Sequence, residues 1–145
     1  MADDMEQLEA VGRELMQLYS VAAPPIPIER MLQHPHPDMW DEVDMNDFSA
    51  TFLNVSTPYS PRMSLARFLA RQIAKSPWGR KRGLEGIDDD ESLIHSLARV
   101  LIMPADLVME INETSRTPQL ISLHFEVPED DARLRLSELG VHKRR

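Results

Sequence analysis

Apolar residues at Met5, Leu8, Val11, Leu15 and Leu18 recur near a helical period and predict a helix over 3–20, with Asp3 as its cap. Ala22, Ala23, Pro24 and Pro25 end it. Pro27 suits the first turn of a second, short helix, IERMLQ. HPHPDMW then reads as extended, because each residue before a proline is pushed out of the α region. Residues 38–47 are acidic and read as a surface loop. SATFLNVS (49–56) combines β-branched and aromatic residues between Asn, Asp, Ser and Pro, the signature of a strand, and TPYSP reads as a turn. RMSLARFLARQIAK (62–75) has the apolar spacing of a helix and follows Pro61. SPWGRKRGLEGI, rich in glycine and carrying Pro77, reads as a loop. Asp88 to Asp90 can cap and charge the start of a helix running to about Ile102. Met103-Pro104 breaks the pattern, and 105–112 makes another helix. Pro118 opens a helix holding Leu120, Ile121, Leu123, His124 and Phe125. VPEDDARLRLSELGV is the last helix, acidic at its start, with Gly140 as C-cap. The reading is α+β: mostly helical, with a small sheet of about three strands completed from segments such as 38–47.

Composition narrows the class. The 145 residues suit one domain, and 42% of them are hydrophobic, enough for a core. The chain has no cysteine, which removes disulfides, thiolate catalysis and cysteine zinc sites, and fits a cytoplasmic location. No apolar run approaches the ~20 residues of a membrane span. MADDMEQLEA is acidic and amphipathic, unlike a signal or transit peptide.

Net charge is −8, but it is distributed in blocks. Residues 1–54 hold eleven acids and two bases, residues 62–82 hold seven bases and no acid, and residues 85–91 hold five acids. A basic block between acidic ones can bind an anion or pair with its neighbours. In so acidic a chain, internal pairing is the expected outcome, since the overall field opposes nucleic acid.

The order of these elements resembles the ImmA/IrrE-type zinc metallopeptidase domain, a zincin-like fold. Pro25-Ile26-Pro27-Ile28 before a short helix resembles that family's P-I-D-hydrophobic opening. SATFLNVSTPYSPR resembles its strand and the turn into the active-site helix, and RMSLARFLARQIA resembles that helix. LIHSLARVLIMPADLV resembles the next helix and the proline that stops it, and FEVPEDDARLRLSELGV the closing segment. The resemblance covers about residues 8–141 of a single domain, with 142–145 left as a basic tail.

The resemblance also exposes what is missing. In H-E-x-x-H, two histidines on one helix face bind zinc and the glutamate between them activates water. Here the five positions read Arg67-Phe68-Leu69-Ala70-Arg71. Arginine has no lone pair for a metal, and phenylalanine accepts no proton. The third ligand, a glutamate at the start of the following helix, falls near Glu91 or Leu93, and one carboxylate cannot hold a catalytic zinc. The resemblance thus implies a pseudoenzyme with no metal or other cofactor. It implies action by binding or regulating another protein, with a helix-turn-helix repressor as the partner class, in a bacterial or phage-type regulatory or stress-response setting.

With the ligands gone, Arg67 or Arg71 is expected to pair with Glu91 or Asp90 and tie the two helices together, unless Arg67, Arg71 and Lys75 form a solvated face. His95, on the third-ligand helix, is the histidine nearest this expected cleft. Two other readings remain. Lys75, Trp78, Arg80, Lys81 and Arg82 have the composition of an anion or single-strand contact, which makes a nucleic-acid-binding module using 75–82 the first alternative. The second is a metal-dependent hydrolase with a displaced site, using Glu91, His95 and a loop histidine. His34 and His36, one residue apart in extended chain, point to opposite sides and do not chelate one ion in the usual way.

Overall fold

The computed structural model describes residues 2–44, 46 and 59–140. Eight α-helices account for most of them: α1 (Ala2–Leu18), α2 (Ile28–Gln33), α3 (Ser60–Lys75), α4 (Pro77–Lys81), α5 (Glu91–Ile102), α6 (Ala105–Glu110), α7 (Pro118–Phe125) and α8 (Glu129–Glu138). Short 3-10 turns at 87–89 and 113–115 join some of them.

Helix α5 organises the rest. It buries Ile94, Leu97, Ala98, Val100, Leu101 and Ile102, an apolar arc wider than one neighbouring helix can cover, with Ser92, His95, Ser96 and Arg99 on the opposite side. It packs on three helices: α3, α1 and α8. The tightest of these packings is with α3, whose Ala66, Ala70 and Ala74 form a buried row of small residues at four-residue spacing. Against α1, the close point is Gly12, where an added Cβ would lie 2.6 Å from Val100 Cγ1. Helix α7 packs on α8, and α2 on α3.

The expected α+β class is overturned. Among the described residues there is no strand and no sheet, and the fold is helical. The predicted strand 49–56 lies outside the described residues. Residues 38–44, expected to help complete the sheet, form no ladder, and their backbone groups are used singly instead. Trp78 N donates to Asp38 O at 2.9 Å and Val43 N to Leu32 O at 3.1 Å. The Trp40 indole N–H donates to Leu32 O at 3.3 Å. The segment is thus tied at single points to α2 and α4 rather than through a ladder.

A second difference is α4, a helix where a loop was predicted. Ser76 is extended and ends α3. Its hydroxyl accepts from Gly79 N at 3.0 Å and donates to Ile73 O at 2.8 Å, while Pro77 takes the first helical position. Gly79 is required by proximity, since a Cβ there would lie 2.0 Å from Ile73 O. The turn buries Trp78, which a mobile loop would leave in water. The helix predicted over 105–112 is also shorter, ending at Glu110.

Candidate functional site

The facing ends of α3 and α5 carry the residues singled out above. Asp90 caps α5: its carboxylate accepts from Leu93 N at 3.2 Å, which commits it to the helix rather than to an arginine. That cap places Glu91 at the first helical position, facing α3. Arg71 meets it with two parallel hydrogen bonds, Nη1 to Oε2 at 2.8 Å and Nη2 to Oε1 at 2.6 Å. Of the two arginines expected to pair here, Arg71 is the one that does, in the bidentate geometry that fixes orientation most firmly.

The electrostatics follow from this pair. The hydrogen bonds from Arg71 hold the Glu91 carboxyl below the usual carboxylate range, and those to Glu91 raise Arg71. His95, one turn along α5, has Nε2 3.7 Å from Glu91 Oε1. Burial and then the charge of Arg67 lower its pKa, and the Glu91 charge only partly offsets them. Arg67 lies half-buried one turn before Arg71. Its charge acts on Asp131, in the first turn of α8. Burial raises the Asp131 pKa, against the charges of Arg67, Arg99 and His95. Phe68, on the same helix, packs against the core.

Asp131 was not legible as a site residue. Acids in the first turn of a helix usually complement its dipole in water, and only the packing of α8 on α5 brings this one to Arg67 and His95.

The basic segment 75–82 does not present an open nucleic-acid platform. Trp78 is buried, with the guanidinium of Arg82 3.9 Å from its ring centroid. Arg82 in turn is held by Glu14 of α1 through bonds of 2.8 and 2.6 Å, and donates to Trp78 O at 3.0 Å. Lys81 reaches Asp38 at 3.3 Å. Lys75 and Arg80 are exposed. An aromatic covered by its own arginine offers no face for a base to stack on. Of the loop histidines, His36 is engaged through its side chain and His34 through its backbone. The His36 ring meets Tyr19 edge-on at 4.9 Å, and the His34 carbonyl accepts from the Tyr19 hydroxyl at 2.8 Å. Among the described residues, no three His, Asp or Glu side chains cluster in a way that could hold a metal ion.

Two arginines that the sequence did not single out are structural anchors. Arg135 of α8 is fully buried. It donates to both oxygens of Glu9 at 2.6 and 2.7 Å and to Met103 O at 2.8 Å. Glu138 stands 3.7 Å away and takes Arg99 at 2.6 Å and Ser96 at 3.2 Å. Arg62 binds the carbonyls of Ile26, Phe125 and Glu126 at 3.1 to 3.2 Å, and burial lowers its pKa. A buried arginine looks like any surface base in a sequence, so no local signal marks either.

No protein-family model, curated protein or solved structure matches the chain. No helix among the described residues is long and apolar enough to cross a membrane.

Proposed function

We propose that this chain is a non-catalytic, ImmA/IrrE-like domain that acts in the cytoplasm by binding another protein, with a helix-turn-helix repressor as the partner class. The observation that carries the reading is the Arg71–Glu91 pair. It joins the residue at the second histidine position of the resemblance to the carboxylate at the third-ligand position. Where a zinc would bridge the two helices, a guanidinium bridges them. Phe68 at the base position supports the same reading, because an aromatic packed on the core moves no proton.

The test mixes the purified protein with the helix-turn-helix repressors of its own genome, with and without added zinc. The expected outcome is a stoichiometric complex in which the repressor stays intact. In that complex Arg71→Ala weakens binding about tenfold, as expected for an arginine central to an interface. Cleavage of the repressor that a chelator abolishes overturns the reading.

A further inference from the structure

Two cavities lie end to end along α1, away from the Arg71–Glu91 pair, and share with the contacts described above only Gly12, Val100 and the half-buried acids Glu9 and Glu138. The first, of about 470 Å³, lies between the second half of α1, Val100 of α5 and the start of α6. The second, of about 440 Å³, continues past Met5 and Glu6 to Glu138 and Leu139. Glu9, Arg13 and Ala105 line both, so they form one trench. Between Met5 and Met16 it follows α1 for about 17 Å, at 1.5 Å per residue. Each half is the size of a ligand pocket.

Floor and rim differ chemically. Met16, Val21 and Leu107 give the first cavity an apolar floor. The rim is acidic: Glu6, Asp106 and Glu110 are exposed, and among the described residues Arg13 is the one cation lining the trench. Arg13 sits 3.6 Å from Asp106, in a pair more than half exposed on both sides and worth little. Glu9 is already neutralised by Arg135, and Glu138 by Arg99. Among the described residues neither Glu6 nor Glu110 has an ion-pair partner.

An apolar floor beneath a carboxylate rim matches the two halves of a lysine or arginine side chain, an aliphatic stem and a cationic head. We infer that this trench binds a lysine- and arginine-rich segment of a partner protein. Stems would lie on Met16, Val21 and Leu107, with cationic heads at Glu6, Asp106 and Glu110. About five extended residues span its length. The surface is separate from the Arg71–Glu91 face, so the inference stands whether or not a repressor is cleaved.

The experiment measures fluorescence anisotropy of a labelled peptide of alternating Lys or Arg and Leu against the full chain, with a Glu-for-Lys version as control. The basic peptide should bind and the acidic one should not. Glu6→Gln with Glu110→Gln should raise Kd about tenfold. Ala105→Trp, which fills the junction of the two cavities, should do the same while melting as a folded protein. Asp88→Asn with Asp89→Asn, equal in charge removed but remote from the trench, should change Kd less than about twofold. If that control pair weakens binding as much as the rim pair, the attraction is net charge alone and the inference fails. It fails also if folded Ala105→Trp binds as well as the parent.

Discussion

Arg135 shows how far a single residue's role can depart from its type. An arginine with no exposed surface must satisfy its charge and donors internally, and it does so with Glu9, the Met103 carbonyl and the nearby Glu138. Exchanging such a pair for apolar residues can be neutral, but removing one partner strands the other charge. Arg135→Met should therefore destabilise the protein by about 3–5 kcal/mol, while Arg135→Met with Glu9→Leu should cost clearly less than the two single changes added together. Urea titrations of the four proteins in this cycle check it, and additive losses would show that the pair is not coupled. Arg71 and Glu91 are the opposite case. Glu91 is largely exposed, so their pair contributes orientation rather than a large share of stability. From sequence, a pair between Arg67 or Arg71 and Glu91 or Asp90 was one expectation beside a solvated basic face, and the packing of α3 on α5 selects Arg71 with Glu91. No such expectation was open for Arg135, because spacing within α8 says nothing of Glu9, 126 positions away.

At the scale of elements, the helices with strong local signals form where the pattern put them. Asp90 and Thr117 accept hydrogen bonds as caps, Pro61 and Pro118 sit in first turns, and Gly140 takes a positive φ at the end of α8. The failures have one physical source. A short segment's conformation is decided by what it packs against, and α4 is helical because Trp78 is buried and Gly79 fits against Ile73 O. Gly12 gives a sign test of packing against propensity. On propensity alone, Gly→Ala inside a helix gains about 1 kcal/mol. Here the new methyl would press on buried, β-branched Val100, which has few rotamers to escape into. Gly12→Ala should therefore lower stability by about 1–3 kcal/mol, the usual cost of overpacking. A raised Tm would show that α1 and α5 can separate cheaply.

For the whole molecule, the distribution of charge becomes a network between helices, and its pH dependence can be signed. Glu91 and Glu14 have folded pKa values held below 4.5, chiefly by hydrogen bonds from Arg71 and Arg82. Each contributes stability that is full above 4.5 and lost as pH falls through the folded value. His95 is lowered from 6.5 by burial and Arg67, so its share is full above 6.5 and is lost on acidification below that. Asp131 acts in the other direction. Burial raises it from 3.8, so its charge costs stability near neutrality, and that cost is relieved as it takes up a proton. Stability should thus decline from about pH 6.5 downward and fall more steeply below 4.5. Glu14→Gln with Glu91→Gln should flatten the steeper part and leave the decline nearer pH 6 in place. Urea midpoints measured from pH 3 to 8 check this, and an unchanged acid limb in the double variant would remove both pairs from the account.

The sequence by itself determined the helices that carry their own caps and periodicity. It also set Arg67 and Arg71 one turn apart on α3, with no metal-ligating side chain at either place, because these are local facts of spacing and residue chemistry. Only the tertiary structure decided that Asp90 serves as a cap while Glu91 takes Arg71, and that Asp131 joins their neighbourhood. Only it closed Trp78 beneath Arg82, buried Arg135 and opened a trench beside α1. Each of these depends on which distant helix arrives at a given face, and that is fixed by the shared burial of α1, α3, α5 and α8 rather than by any one segment.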